Sequence, residues 1–106
     1  MLQKRKPPLP TPPSAQDWDL RLYVAGPTPR SIAAFSNLKR ICEEHLAGRY
    51  RIELVDVLED PRLARRDRVF AIPTVICERR GVAKKSATGD LSDTERVLAA
   101  LNLPRA

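Results

Sequence analysis

The chain has 106 residues, a formal net charge of +6, 42% hydrophobic residues and 30% charged residues. That length accommodates one domain, and no apolar stretch approaches the ~20 residues a membrane-spanning helix requires. The charged, proline-rich N-terminus lacks the apolar core of a secretory signal, so a cytoplasmic protein without membrane association is expected. Residues 1–16, MLQKRKPPLPTPPSAQ, hold five of the ten prolines and few large apolar side chains. Such a segment cannot bury enough surface to offset its ordering entropy and reads as a disordered or polyproline-II-like basic tail. The remainder, 17–106, reads as the folded domain.

The first strand is predicted over Asp19 to Ala25, where Leu20, Leu22 and Val24 alternate with Arg21 and Tyr23 to give one apolar face. Thr28 then caps a helix and Pro29 suits its first turn, where no N–H is needed. This helix should run to about Leu46, with Ile32, Phe35, Leu38, Ile41, Cys42 and His45 as its inward stripe, and Gly48 ending it. Tyr50 to Leu58 is the second strand. Its run Leu54-Val55-Asp56-Val57-Leu58 is nearly apolar on both faces, which predicts a central position in a parallel or mixed sheet. Strand, helix, strand makes a right-handed βαβ unit.

Asp60-Pro61 repeats the cap-then-proline signature and predicts a second helix through about Phe70, stopping before Pro73. Thr74 to Glu78 is rich in β-formers. Arg79-Arg80-Gly81 suits a short hairpin loop, with a return strand near Val82 to Thr88. Ser92 and Glu95 have capping-box spacing, opening a last helix that turns Val97, Leu98 and Leu101 inward and ends before Pro104. The order βαβαββα, with a proline opening the third strand, predicts an α/β thioredoxin-like fold with a mixed four-stranded sheet flanked by helices.

In the redox form of that fold two cysteines, three residues apart, open the first helix, where free N–H groups and the helix dipole stabilise a thiolate. Here the segment is Thr28-Pro29-Arg30-Ser31, and hydroxyls stand at both sulfur positions. His45 lies more than four helical turns along the same helix and cannot activate either one. No enzymatic activity is therefore expected, and Thr28 and Ser31 read as the remnant of a redox motif. Pro73 is the position where a cis peptide bond would mark the fold. Cys42 and Cys77 have no paired spacing and sit in apolar patterns, so both read as buried packing residues. With one histidine, no metal site or other cofactor is expected.

Charge offers little on partners, since Lys4, Arg5 and Lys6 supply +3 of the +6 from the tail. Arg62, Arg65, Arg66 and Arg68 cluster, as do Arg79, Arg80, Lys84 and Lys85, but such runs are ordinarily solvated surface. The five aromatics, Trp18, Tyr23, Phe35, Tyr50 and Phe70, form no stacking ladder, which argues against nucleic acid.

The strings LRLYVAGPTPRS, ELVDVLEDPRLARRDRVFAIPT and GDLSDTERVL, in register from Leu20 to Leu101, resemble the KaiB family of circadian clock proteins. The resemblance implies a non-enzymatic adaptor that binds a KaiC-type ATPase ring and regulates its phosphorylation or signalling state. KaiA-like proteins or a sensor histidine kinase are further implied partners. It also implies a metamorphic chain, with a tetrameric ground state whose C-terminal half is rearranged and a thioredoxin-like monomer that binds the ring, so a homo-oligomer, dimer or tetramer, is implied too. The matching partner-binding positions are Arg51 and Leu58, on and after the second strand, and Arg62, Arg66 and Arg68 on the second helix. Acidic or polar residues are usual in the family where Arg62 and Arg66 stand. The family's triple-proline segment after the third strand is replaced by Cys77-Glu78-Arg79-Arg80-Gly81-Val82, and the chain closes on Asn102-Leu103-Pro104 where relatives continue their helix. With the capping box, these changes predict rest in the thioredoxin-like state. A different reading is a thioredoxin-like peptide- or anion-binding module in stress signalling, using Arg30 and the start of the first helix.

Overall fold

The computed structural model describes residues 18–104. The tail expected over 1–16 lies outside them. Seven elements follow in the expected order: β1 (Trp18–Val24), α1 (Pro29–Leu46), β2 (Tyr50–Asp56), α2 (Pro61–Arg66), β3 (Thr74–Arg79), β4 (Val82–Thr88) and α3 (Thr94–Leu101). The strands form one sheet in the order β2-β1-β3-β4, parallel between β1 and β2 and antiparallel elsewhere.

β1 alternates as its sequence dictates, and this divides the molecule into two layers of unequal strength. Leu20, Leu22 and Val24 meet Ala34, Leu38, Ile41, Cys42 and Leu46 of α1 and Val97, Leu98 and Leu101 of α3 in the main core. On the opposite face the buried hydrophobics among the described residues are Tyr23, Val55 and Ile76, with Leu63, Ala64, Val69 and Ile72 packed partly against them. α1 and α3 are thus held by a broad apolar interface, and α2 by a narrow one. Six residues cannot sustain a helix unaided, so α2 depends on whatever else ties it to the sheet.

Several expectations are corrected. β2 is an edge strand and not a central one. Leu54 shares a face with Leu22 but lies at the rim, 55% exposed, because among the described residues no strand lies beyond β2. The inward face of α1 is Ser31, Ala34, Leu38, Ile41, Cys42 and Leu46. Ile32 and Phe35 stand about 100° round the helix from Ser31 and Ala34 and are exposed. His45 is only partly buried, its Nδ1 3.2 Å from the Pro104 carbonyl oxygen. α1 leaves the right-handed region one residue before Gly48, since Ala47 already has φ 48°.

α2 stops at Arg66 and not near Phe70. Arg68 takes φ 56°, and its N–H donates to the Arg65 carbonyl, closing the helix with a tight turn. Asp60 stands at its N-cap but makes no side-chain cap bond. The cap of α3 is Asp93 in place of Ser92: the Asp93 carboxylate accepts from the Arg96 N–H at 3.2 Å, while the Ser92 N–H donates to Asp90 in a preceding turn. Residues 94–101 are helical, as the thioredoxin-like state requires.

Candidate functional site

The Ile72–Pro73 bond is cis, and Pro73 is fully buried. β3 begins directly after it, and the Pro73 carbonyl accepts the Gly89 N–H at 2.9 Å, which secures the turn to the end of β4. Across a cleft of about 500 Å³ stands the start of α1, so Thr28, Ser31 and Pro73 line one groove.

The chemistry of that groove is closed off. The Thr28 hydroxyl donates to the Ser31 hydroxyl at 2.9 Å and accepts the Ser31 N–H at 3.1 Å, so the helix start is capped by its own side chain. No base stands beside either hydroxyl among the groove residues Ala25, Pro29, Arg30 and Ile72. Burial pushes the Cys42 thiol up to about 12 and the Cys77 thiol up to about 11. Both are free and buried. We therefore expect a native-state thiol titration with Ellman's reagent at pH 8 to show almost no reaction over minutes, and two thiols on adding denaturant. Rapid reaction of either cysteine in the native protein would contradict this burial.

The opposite face carries a different arrangement, centred on Asp67, whose side chain has no exposed surface. Arg21 donates to its Oδ2 from Nε at 3.1 Å and Nη2 at 3.0 Å, and Nη2 also reaches Glu78 at 2.9 Å. Lys84 approaches Oδ1 at 3.0 Å, and the Tyr23 hydroxyl donates to Oδ2. Burial acts to raise the Asp67 carboxyl, but the hydrogen bonds from Tyr23, Lys84 and Arg21, with the Arg21 charge, outweigh it. The group is held well below the usual carboxylate range. Strands β1 and β4 thus both bind the residue that follows α2, with Glu78 of β3 bracing Arg21, supplying the anchor its small apolar contact lacks.

Anchored in this way, α2 presents Arg62 and Arg66 to solvent, with Arg68 in the turn beyond it. Leu58, 73% exposed, follows β2 in the loop leading to α2. Leu58 and these arginines therefore belong to one continuous segment. Arg51 does not join them. It lies at the start of β2, roughly 23 Å of strand from Leu58, and pairs with Asp19 at 2.8 Å. Sequence reasoning missed Asp67, Arg21 and Tyr23 as a unit. The signal was present: Arg21 and Tyr23 occupy the polar phase of β1, and Asp67 is the one acid within Arg62–Arg68.

Comparison with known proteins resolves the relationship. The KaiB domain model matches residues 21–103. The chain belongs to the KaiB family. The circadian clock oscillator protein KaiB of Microcystis aeruginosa is 45% identical over 84 residues, covering 79% of this chain and 80% of that protein. The KaiB of Trichodesmium erythraeum is 42% identical over 91 residues, 86% of each. In shape, this KaiB-family chain is similar to the N-terminal domain of Synechococcus elongatus SasA (TM-score 0.68, 22% identity, 92% of this chain and 94% of that one). It is also similar to the germline-specific thioredoxin Deadhead of Drosophila melanogaster (TM-score 0.64, 17% identity, 81% and 82%). The fold is thioredoxin-like. No helix among the described residues is long and apolar enough to cross a membrane.

Proposed function

We propose that this KaiB-family chain is a clock- or timer-system adaptor that binds a KaiC-type ATPase ring and biases its phosphorylation state without performing chemistry of its own. The relationship to KaiB over most of the chain carries this reading. The self-capped hydroxyls at Thr28 and Ser31 support it, because the groove that does thiol chemistry in the redox proteins has no thiol here. The docking segment is Leu58 with Arg62, Arg66 and Arg68, and Arg51 is an outlying contact. A KaiA-like protein would be recruited to the bound complex, and a sensor-kinase domain of the same fold would compete for the ring. The protein acts in the cytoplasm.

The test is retention on an immobilised KaiC-type ring from the same organism, loaded with ATP, ADP or a non-hydrolysable analogue. The wild-type chain is expected to be held in at least one nucleotide state, and Arg68→Glu to bind at least ~10-fold more weakly, since opposed like charges at an interface cost several kcal/mol. Failure of the wild-type protein to bind in every state would overturn the reading.

A further inference from the structure

A second cavity, of about 380 Å³, lies between the end of β4, the loop 89–93, α3 and the Arg30 side chain. The Gly89 N–H bond to the Pro73 carbonyl sets it beside the cis-proline groove, and Arg30 borders both. Its size is that of a small-ligand site. The loop is fixed from two sides: Leu91 is buried in the main core, and the Asn37 amide of α1 donates to the Asp90 carbonyl at 2.8 Å. A Cβ at Gly89 would stand 3.8 Å from Arg30 Nη2, so the Arg30 guanidinium lies over this loop.

Four charged side chains border the cavity, Arg30 and Arg96 against Asp90 and Asp93, so its formal charge is balanced. They do not neutralise one another by contact, because no ion pair joins them among the described residues. Asp90 is committed to its own turn. Hydrogen bonds from the Ser92 side chain and N–H, with the Arg30 charge, hold its carboxyl below the usual value. Asp93 accepts the Arg96 N–H at Oδ1, 3.2 Å away, and its Oδ2 has no partner among the described residues. Two guanidiniums are thus open to a carboxylate, which a planar fork of N–H groups suits, and one carboxylate oxygen is open to an ammonium. Val97 and Ala100 give the cavity an apolar wall.

We propose that this cavity is a binding site for a free aliphatic α-amino acid, with its carboxylate on Arg30 and Arg96, its ammonium on Asp93 and its side chain against Val97 and Ala100. A zwitterion is favoured over a simple anion because the site is balanced in charge, and an anion alone would leave Asp93 facing like charge. The site lies apart from the α2 segment and does not rest on the adaptor reading.

Titration of the full-length chain with L-leucine, followed by NMR of the Gly89, Leu91 and Val97 amides, tests the site. Saturation is expected with a Kd of about 1 mM. Arg30→Gln and Arg96→Gln should each weaken binding about 10-fold. Asp93→Asn, which keeps the cap of α3, should do the same, while Lys39→Gln, on the exposed face of α1, changes nothing. All four positions are exposed, and circular dichroism checks that each variant keeps its helices. Isocaproate, which lacks the ammonium, and isoamylamine, which lacks the carboxylate, should each bind at least about 10-fold more weakly than leucine. Either analogue, or inorganic phosphate, binding as tightly as leucine would overturn the inference by showing that one charge suffices. Absence of a saturable shift would overturn it too, as would leucine binding that survives all three cavity substitutions. None of these outcomes bears on ring binding.

Discussion

Asp67→Ala is expected to destabilise the domain by about 3 kcal/mol, because removing one partner of a buried charge network leaves the others uncompensated. For a domain of this size that is a fall in Tm of roughly 15 °C, measured by thermal or urea denaturation. The physical ground is the imbalance between the two layers. α1 and α3 rest on a large apolar core, whereas α2 rests on three buried side chains and on the carboxylate that binds Arg21, Tyr23 and Lys84. A fall of less than about 3 °C would show that the anchor contributes little. The pH dependence has a definite sign. The folded carboxyl is held below its ordinary value of 3.8, so unfolding favours protonation. Its stabilising contribution is complete above about pH 4 and is lost as pH falls from there toward the depressed folded value. Asp67→Asn should therefore flatten the acid limb of the stability profile and leave its shape near neutrality unchanged.

The second large effect is a gain. Thr28→Cys with Ser31→Cys is expected to convert an inert domain into a thiol oxidoreductase, because the two hydroxyls already sit 2.9 Å apart at the start of α1, beside cis-Pro73. Sulfurs in those places need only small rotamer adjustments to reach the ~2.05 Å of a disulfide. The N-terminal N–H groups of α1 would then stabilise the attacking thiolate. Loss of the Thr28 cap costs about 1 kcal/mol, which the main core tolerates. The double variant should form an internal disulfide in air and catalyse dithiothreitol-dependent insulin reduction at least ~100-fold above the wild-type background. Inability of the two cysteines to pair would show that these positions are not the thiol seats. Catalysed reduction by the wild-type chain would contradict the non-enzymatic reading.

Much of the fold was readable because it rests on local chemistry. The alternation of β1, the Thr28–Pro29 opening of α1, the Gly81 hairpin and the inward face of α3 each follow from a few neighbouring residues. The cis bond at Pro73 followed from its place in the element order. What failed to appear depends on non-local geometry. Ile32 and Phe35 have the helical spacing of a core stripe, but the sheet selects the neighbouring phase through Ala34, Leu38 and Ile41. Apolar β2 reads as central because sequence reports composition and not which strand flanks it, and Leu54 at its rim and Leu58 just beyond it remain exposed. α2 ends early because Arg68 adopts a left-handed conformation that no glycine announces. Asp67 looked like one more charge in a basic run. Its partners lie 46 residues before it and 17 after it, and only the sheet brings them together.

The same division applies to the surface. Thr28 and Ser31, read as the remnant of a redox motif, and Pro73, read as the cis-proline position, line one groove, a proximity that no local sequence pattern states. Of the positions implied by family resemblance, Leu58, Arg62, Arg66 and Arg68 lie on one continuous segment, while Arg51 sits at the far end of β2 beside Asp19. Phe70 was expected at the end of α2 and stands exposed beyond it, because a single ring in a sequence carries no sign of whether it points in or out.

Amide hydrogen exchange of the full-length chain, with and without a KaiC-type ring, is the most direct measurement of where this thioredoxin-shaped domain makes its contacts. Added ring is expected to slow exchange across residues 58–70 and to leave the Thr28–Ser31 turn and the segment entering Pro73 unchanged. Slowing confined to the Thr28–Ser31 groove, with residues 58–70 exchanging as in the free protein, would contradict the assignment of function to the α2 face.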